Sequence, residues 1–225
     1  MCRPSFRLRR LSNHDITTIT NLVCQSSSGG NAVSAMKLDK LSDAPPILDL
    51  GTYILRPLRS EDTPAWYEYL CDAEVTQFTS YNIASIDAVA KFIENYLADY
   101  KHQRSSRWAI AEKNSDRLVG TCGFYGWNAD HDIAELGYDL SKHCWGTGLM
   151  TQAVRRVTQW GFEELALNRI QATVMVGNTR SARVLEKCGF QREGTLREYK
   201  ICRGQPSDFW IFAQLHSHYA QLVAT

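Results

Sequence analysis

The chain has 225 residues, 44% hydrophobic and 11% aromatic, which suits one packed domain with an appendage. Its 25 basic and 24 acidic residues nearly cancel, so a net charge of +1 gives no footing for wholesale nucleic-acid or membrane-surface binding. No apolar run approaches the roughly 20 residues of a membrane span.

Residues 1–44 read apart from the remainder. Arg3, Arg7, Arg9 and Arg10 precede a polar run from Gln25 to Asn31 with poor periodicity, so disorder or loose order is expected. The segment is basic and hydroxyl-rich, as a transit peptide is, yet Met36-Lys37 makes an ordinary start. An upstream extension is preferred over a targeting segment. The domain is expected over residues 45–220.

From Thr52 the pattern is regular. Thr52 to Pro57 reads as a strand stopped by proline, and Ser60-Glu61-Asp62-Thr63-Pro64 opens a helix carrying Trp66, Tyr69 and Leu70. Ile86, Val89, Ala90, Ile93 and Leu97 lie on one stripe of a second helix over 85–100. Strands follow at 107–112, 118–125 and 132–140, with turns at Lys113–Arg117 and Gly126–Asp130, giving an antiparallel meander. A helix after Gly148 carries Met150, Ala153, Val154 and Val157. Asn168 to Val176 alternates as a strand, Asn178 opens a short helix closed by Gly189, and strands at Phe190 and Phe209–Ala213 complete the order.

The stretch from Ser141 to Thr151 carries the chemistry. A strand runs into Trp145-Gly146-Thr147-Gly148 and a helix follows at once, which presents backbone N–H groups at the positive end of a helix dipole. A dinucleotide fingerprint needs glycine where Thr151 stands, and a P-loop needs Lys and Ser or Thr where Leu149 and Met150 stand. The remaining alternatives are another phosphate ligand or a tight turn with no ligand. The seven cysteines, Cys2, Cys24, Cys71, Cys122, Cys144, Cys188 and Cys202, form no CxxC pair and no zinc spacing. They read as reduced thiols of a cytoplasmic protein without a metal, and Cys144 has no evident activating His and carboxylate.

Ala134-Glu135-Leu136-Gly137-Tyr138, Trp145-Gly146-Thr147-Gly148 and the run from Asn178 to Phe190 occur together in an order that resembles the GNAT superfamily of acetyl-CoA-dependent N-acetyltransferases. The branch most similar contains the ribosomal-protein alanine and serine N-terminal acetyltransferases, and the likeness runs from about Thr52 to Leu215. The resemblance implies an α+β fold: a mixed, mostly antiparallel central sheet with a V-shaped splay, flanked by helices. It implies acetyl-CoA as cosubstrate, its pyrophosphate held by amides at Trp145, Gly146, Thr147, Gly148, Leu149, Met150 and Thr151. The pantetheine arm would lie along the strand ending at Leu140, with Asn178 holding the arm or the substrate. His143 stands where the superfamily places Gln or Arg, a departure softened because the recognising groups are backbone. Ser181 matches a hydroxyl that protonates the departing thiolate.

The amine must lose a proton to attack the thioester, so a carboxylate acting through water is needed. Glu135 is the first candidate, because a charge between Ala134 and Leu136 is costly without a role or a partner. Glu198, which aligns with an acidic position near the acceptor in this branch, is second, and Asp208 is third. The expected acceptor is a primary amine, with a protein N-terminus placed first. Small amines (polyamines, amino acids, aminoglycosides) are the alternative, and a non-catalytic acyl-CoA-binding module is the reading from another class. Aromatics at Trp66, Tyr67, Tyr69, Phe78 and Tyr81 are expected along the acceptor groove. Arg192, Arg197, Lys200 and Arg203 are expected in a solvated turn. No nucleic-acid or membrane partner is expected, and the protein is read as a monomer or homodimer.

Overall fold

The computed structural model describes residues 37–38, 41–80, 83 and 85–223. Eight strands form one sheet: β1 (Leu48–Leu50), β2 (Tyr53–Pro57), β3 (Ser106–Glu112), β4 (Leu118–Asn128), β5 (Ile133–Leu140), β6 (Arg169–Met175), β7 (Gln191–Cys202) and β8 (Gln205–Leu215). Their order is β1-β2-β3-β4-β5-β6-β8-β7, and β5 beside β6 is the parallel neighbour pair. Helices α1 (Thr63–Leu70), α2 (Ala73–Thr76), α3 (Ile86–Lys101), α4 (Leu149–Glu163), α5 (Thr179–Lys187) and α6 (His216–Val223) cover the sheet. The α+β expectation of a mixed, mostly antiparallel sheet flanked by helices is met.

Burial follows from helices on both faces. On one face α4 and α5 cover Phe124, Leu136, Ile170 and Phe212, with Trp160 edge-on to Trp108 at 5.0 Å between ring centres. On the other, α1 and α3 bring Trp66, Leu70, Val89 and Ile93 onto Ala109 and Leu118. Strand β3 is therefore buried along almost its whole length, which is why it reads as continuous rather than alternating.

Several boundaries differ from the expectation. The start at Ser60 is a 3-10 turn over Ser60–Asp62, and α1 begins at Thr63 with Pro64 in its first turn. Gly126, Trp127 and Asn128 extend β4 instead of turning, because a bulge at Tyr125 lets the strand continue against β5. Strand β1 and helices α2 and α6 carry too little periodicity to stand out. Most of segment 1–44 lies outside the described residues. Within it, the Lys37 N–H donates to the Leu165 carbonyl at 3.0 Å, and the Ser42 carbonyl accepts from the Tyr100 hydroxyl at 3.0 Å. No helix among the described residues is long and apolar enough to cross a membrane.

Candidate active site

The sheet opens where β5 leaves β6. Their parallel pairing covers Ile133, Ala134 and Glu135 against Arg169, Ile170 and Gln171, and there it ends. Beyond Glu135, β5 stays on β4 while β6 stays on β8, so the two strands diverge and a V-shaped gap separates their ends. The edge of β5 from Leu136 to Leu140 is left without a β6 partner. A cleft of about 280 Å³ fills this gap and passes under α1 and α3. Leu136, Gly137, Tyr138, Asn178 and Ser181 line it from the β5 and α5 sides.

The glycine turn lies just past the end of β5. Gly146 and Gly148 have φ of +78° and +84°, a conformation costing an L side chain about 1–2 kcal/mol. The space where their Cβ atoms would lie is open, so the backbone shape, not crowding, requires glycine. The Trp145 N–H donates to the Lys142 carbonyl at 3.1 Å, and the Leu149 N–H to Thr147 Oγ1 at 3.3 Å. Among the described residues no acceptor faces the N–H groups of Gly146, Thr147, Gly148, Met150 or Thr151. Five such donors gather at the start of a 15-residue helix, a geometry that suits an anion. Trp145 fixes the turn: its Nε1 donates to the Leu140 carbonyl at 2.9 Å, and its ring carries the Arg180 guanidinium at 4.5 Å. A cation therefore stands beside the cradle.

At the start of α5, the Asn178 side chain accepts from the Ser181 N–H at 3.2 Å, so it caps the helix while lining the cleft. The Ser181 Oγ is 2.8 Å from the Tyr138 hydroxyl, which also donates to the Ser181 carbonyl at 3.1 Å. Burial pushes the Tyr138 phenol well above its ordinary value, although the bond to Ser181 pulls the other way.

The predicted acids part company. Glu135 sits at the point of divergence, accepting from the Tyr125 hydroxyl and, at 3.4 Å, from Thr173 Oγ1. Tyr125 is the extra residue of the β4 bulge, which aims its phenol at Glu135. Burial first and the Glu135 charge second push that phenol up. Tyr125 and Thr173 line the cleft, and Glu135 stands directly behind them. Glu198 is exposed on β7, its N–H donating to Asp208 Oδ1 at 2.7 Å. Neither Glu198 nor Asp208 lines the cleft.

Other groups gave no warning in the sequence. Arg107 and Asp139 are each 7% exposed at the side chain and paired at 2.7 Å, with Thr121 and Tyr69 also donating to Asp139. The Arg107 guanidinium lies 5.1 Å from the Tyr96 ring and 5.9 Å from the Trp66 ring. Trp66, Phe78, Phe92 and Tyr96 form the apolar wall on the α1–α3 side. Of the aromatics expected there, Trp66 and Phe78 reach the cleft, Tyr69 serves Asp139, and Tyr81 lies outside the described residues. Lys200, expected in a solvated turn, instead turns into the cleft. The described cysteines are free. Cys144 is buried 3.9 Å from the Tyr53 hydroxyl, and burial raises its thiol above the ordinary value.

A splayed mixed sheet with an amide cradle at the end of the splayed strand defines a class, and comparison with known proteins gives the same one. The family model described as an acetyltransferase (GNAT) domain matches residues 53–191. The uncharacterized N-acetyltransferase YoaA of Bacillus subtilis (strain 168) is 34% identical over 169 residues, 75% of this chain and 96% of YoaA. The chain belongs to the GNAT family of N-acetyltransferases. Among solved structures, the ribosomal-protein-S5-alanine acetyltransferase from Vibrio fischeri has a TM-score of 0.69 at 21% identity, over 76% of this chain and 97% of that one. RimL, a ribosomal L7/L12 α-N-protein acetyltransferase in complex with coenzyme A, has a TM-score of 0.70 at 18% identity, over 76% and 98%. At these identities the last two likenesses concern the fold.

Proposed function

We propose that the chain transfers an acetyl group from acetyl-CoA to a primary amine, with a protein N-terminal amine as the first acceptor. The carrying observation is that the open amides of Gly146 to Thr151 lie at the end of the strand whose free edge borders the cleft. A ligand with a pyrophosphate at one end and a strand-like amide arm fits that course, and acetyl-CoA is such a ligand. The combined likeness of Ala134–Tyr138, Trp145–Gly148 and Asn178–Phe190 to the ribosomal-protein branch puts a protein N-terminus ahead of polyamines, amino acids and aminoglycosides.

The side chains of the cleft supply a proton balance. The amine nitrogen attacks the thioester carbonyl, and its proton passes by the Tyr125 hydroxyl or a water to the Glu135 carboxylate. The carbon–sulfur bond then breaks. The thiolate takes a proton from Ser181 Oγ, which lies 2.8 Å from the Tyr138 hydroxyl, and solvent carries the proton held on Glu135 back to this hydroxyl pair, so no net proton is gained or lost. The apolar wall of Trp66, Phe92 and Tyr96 keeps water from the reacting carbonyl and strengthens these bonds. Glu198, on the bulge of β7, and Asp208, opposite it on β8, take no part in this route.

Release of CoA thiol on mixing acetyl-CoA with N-terminal peptides and small amines tests the reading. Acceptor-dependent release is expected. Acetyl-CoA binding without release for any acceptor would leave a non-catalytic acyl-CoA-binding module, and failure to bind acetyl-CoA would remove the proposal.

A further inference from the structure

Strand β7 loses register with β8 between Leu196 and Lys200, where Arg197, Glu198 and Tyr199 oppose the single residue Asp208. The Asp208 carboxylate holds the bulge by accepting from the Glu198 N–H at 2.7 Å, and Glu198 takes φ of +51°. The bulge turns Glu198 to solvent and Lys200 inward. The Lys200 ammonium lies 5.9 Å from the Tyr125 ring, 5.1 Å from the Tyr199 ring and 5.4 Å from the Phe209 ring, and it donates to Thr173 Oγ1 at 3.3 Å. Among the described residues it forms no ion pair.

The cleft lining holds Lys200 and Arg107 and no carboxylate, and Arg107 is neutralised by its buried pair with Asp139, so Lys200 is the lining cation outside an ion pair among the described residues. The nearby acids are engaged elsewhere. Asp139 accepts from Arg107, Thr121 and Tyr69, and Glu135 stands behind Tyr125 and Thr173, both of which donate to it. Aromatic faces attract the ammonium without neutralising it, and Glu135 stands on the far side of the Thr173 hydroxyl that both groups contact. Anything entering beside Tyr125 meets the ammonium charge.

We propose that Lys200 selects acceptor amines that carry an anionic group near the amine, such as a peptide whose first residue is followed by Asp or Glu. The proposal rests on the cleft being the acceptor side of an acetyltransferase. Opposite charge near a half-buried ammonium gains affinity and like charge loses it, by about tenfold per unit charge at a separation of about 6 Å.

Two matched series test it with the full chain: the peptides Ser-Asp, Ser-Asn and Ser-Lys on a common tail, and β-alanine, β-alaninamide and 1,3-diaminopropane. The expected order in kcat/KM is anionic over neutral over cationic, about tenfold per step, shrinking as salt rises. Calorimetric binding of the same compounds to the enzyme with CoA reads that order without turnover. In Lys200→Met the anionic-to-neutral ratio falls about tenfold, and in Lys200→Glu the order reverses. A ratio is independent of how much variant folds. No anionic preference in either series, by turnover or by binding, overturns the assignment. A cationic preference in the unaltered enzyme overturns it too, since Lys200 would then mark the seat of a substrate ammonium. Acetyl-CoA binding on the same preparations separates the two readings. If it is intact, the charge selection alone fails; if it is lost, the acetyltransferase reading falls and takes this one with it.

Discussion

The Tyr138 hydroxyl on β5 and the Ser181 hydroxyl in the first turn of α5 lie 2.8 Å apart, joining the two sides of the splay at the cleft. Two hydroxyls in one chain act as a unit, so their losses should not add. Ser181→Ala and Tyr138→Phe are each expected to lower kcat about tenfold to a hundredfold, and the double variant little further. Burial raises the Tyr138 phenol, so it keeps its proton through the neutral and moderately alkaline range. Its titration therefore imposes no fall in kcat between pH 7 and 10, and Tyr138→Phe should lower the rate there without reshaping the profile. Additive losses in the double variant would show that the two groups act separately.

Glu135 has two donors, Tyr125 and Thr173, and no cation within an ion pair among the described residues. Glu135→Gln keeps the shape and removes the proton acceptor, so kcat/KM for the amine should drop about a hundredfold. Acetyl-CoA affinity, measured by calorimetry, should hold. Tyr125→Phe removes the relay but leaves the carboxylate, and water can take its place, so about a tenfold loss is expected. Turnover by Glu135→Gln equal to that of the unaltered enzyme would remove Glu135 from the role of base.

The cradle and the cleft were legible in the sequence to different degrees. Gly146 and Gly148 announce themselves because only left-handed backbone puts five amides in one place, and glycine is what that backbone selects. Asn178 is legible as the cap of a helix, whereas the site roles of Asn178 and Ser181 came from the likeness to the GNAT superfamily. The rest of the cleft was hidden for a physical reason. Tyr125 reaches the cleft as the extra residue of the β4 bulge, which shifts every later side chain by one face, and Lys200 follows a bulge of β7 where three residues oppose one; neither leaves a compositional trace. Arg107 and Asp139 are brought together from strands 32 residues apart, and neither strand alone hints at the pair.

Gly137 and Gly148 should fail in opposite ways. At Gly148 an added Cβ meets open space but φ is +84°, so Gly148→Ala should lose about 1–2 kcal/mol and shift the amides. A melting temperature lower by roughly 2–8 °C and a raised KM for acetyl-CoA are expected. At Gly137 the Cβ would come within 2.9 Å of Tyr125 Cδ1 and 3.3 Å of Arg107 Nη1. Gly137→Ala should push Tyr125 off Glu135, lowering kcat with acetyl-CoA binding kept. A fall in acetyl-CoA affinity in Gly137→Ala larger than that in Gly148→Ala would contradict both assignments.

Arg56 ties the α1 side of the cleft to the sheet. On β2 and 2% exposed, it donates to both Asp62 oxygens at 2.7 and 2.8 Å and to Asp116 Oδ1 at 2.6 Å. Asp62 ends the 3-10 turn that launches α1, the helix that carries Trp66 to the cleft. Arg56→Met leaves the Asp62 carboxylate, 5% exposed, without its counter-ion, a loss of about 3–5 kcal/mol. A melting temperature lower by roughly 10 °C is expected at pH 7. Burial pushes Asp116 up, but Arg56 and Arg59 outweigh it and hold this carboxyl below its ordinary value. A carboxyl held lower in the folded state stabilises fully above its unfolded value of about 3.9, and that contribution is lost as pH falls through the lower folded value. The melting gap between the two proteins should therefore stay constant from pH 8 to about 5 and narrow below about 4. A gap unchanged at pH 3 would show that Asp116 adds nothing to the loss.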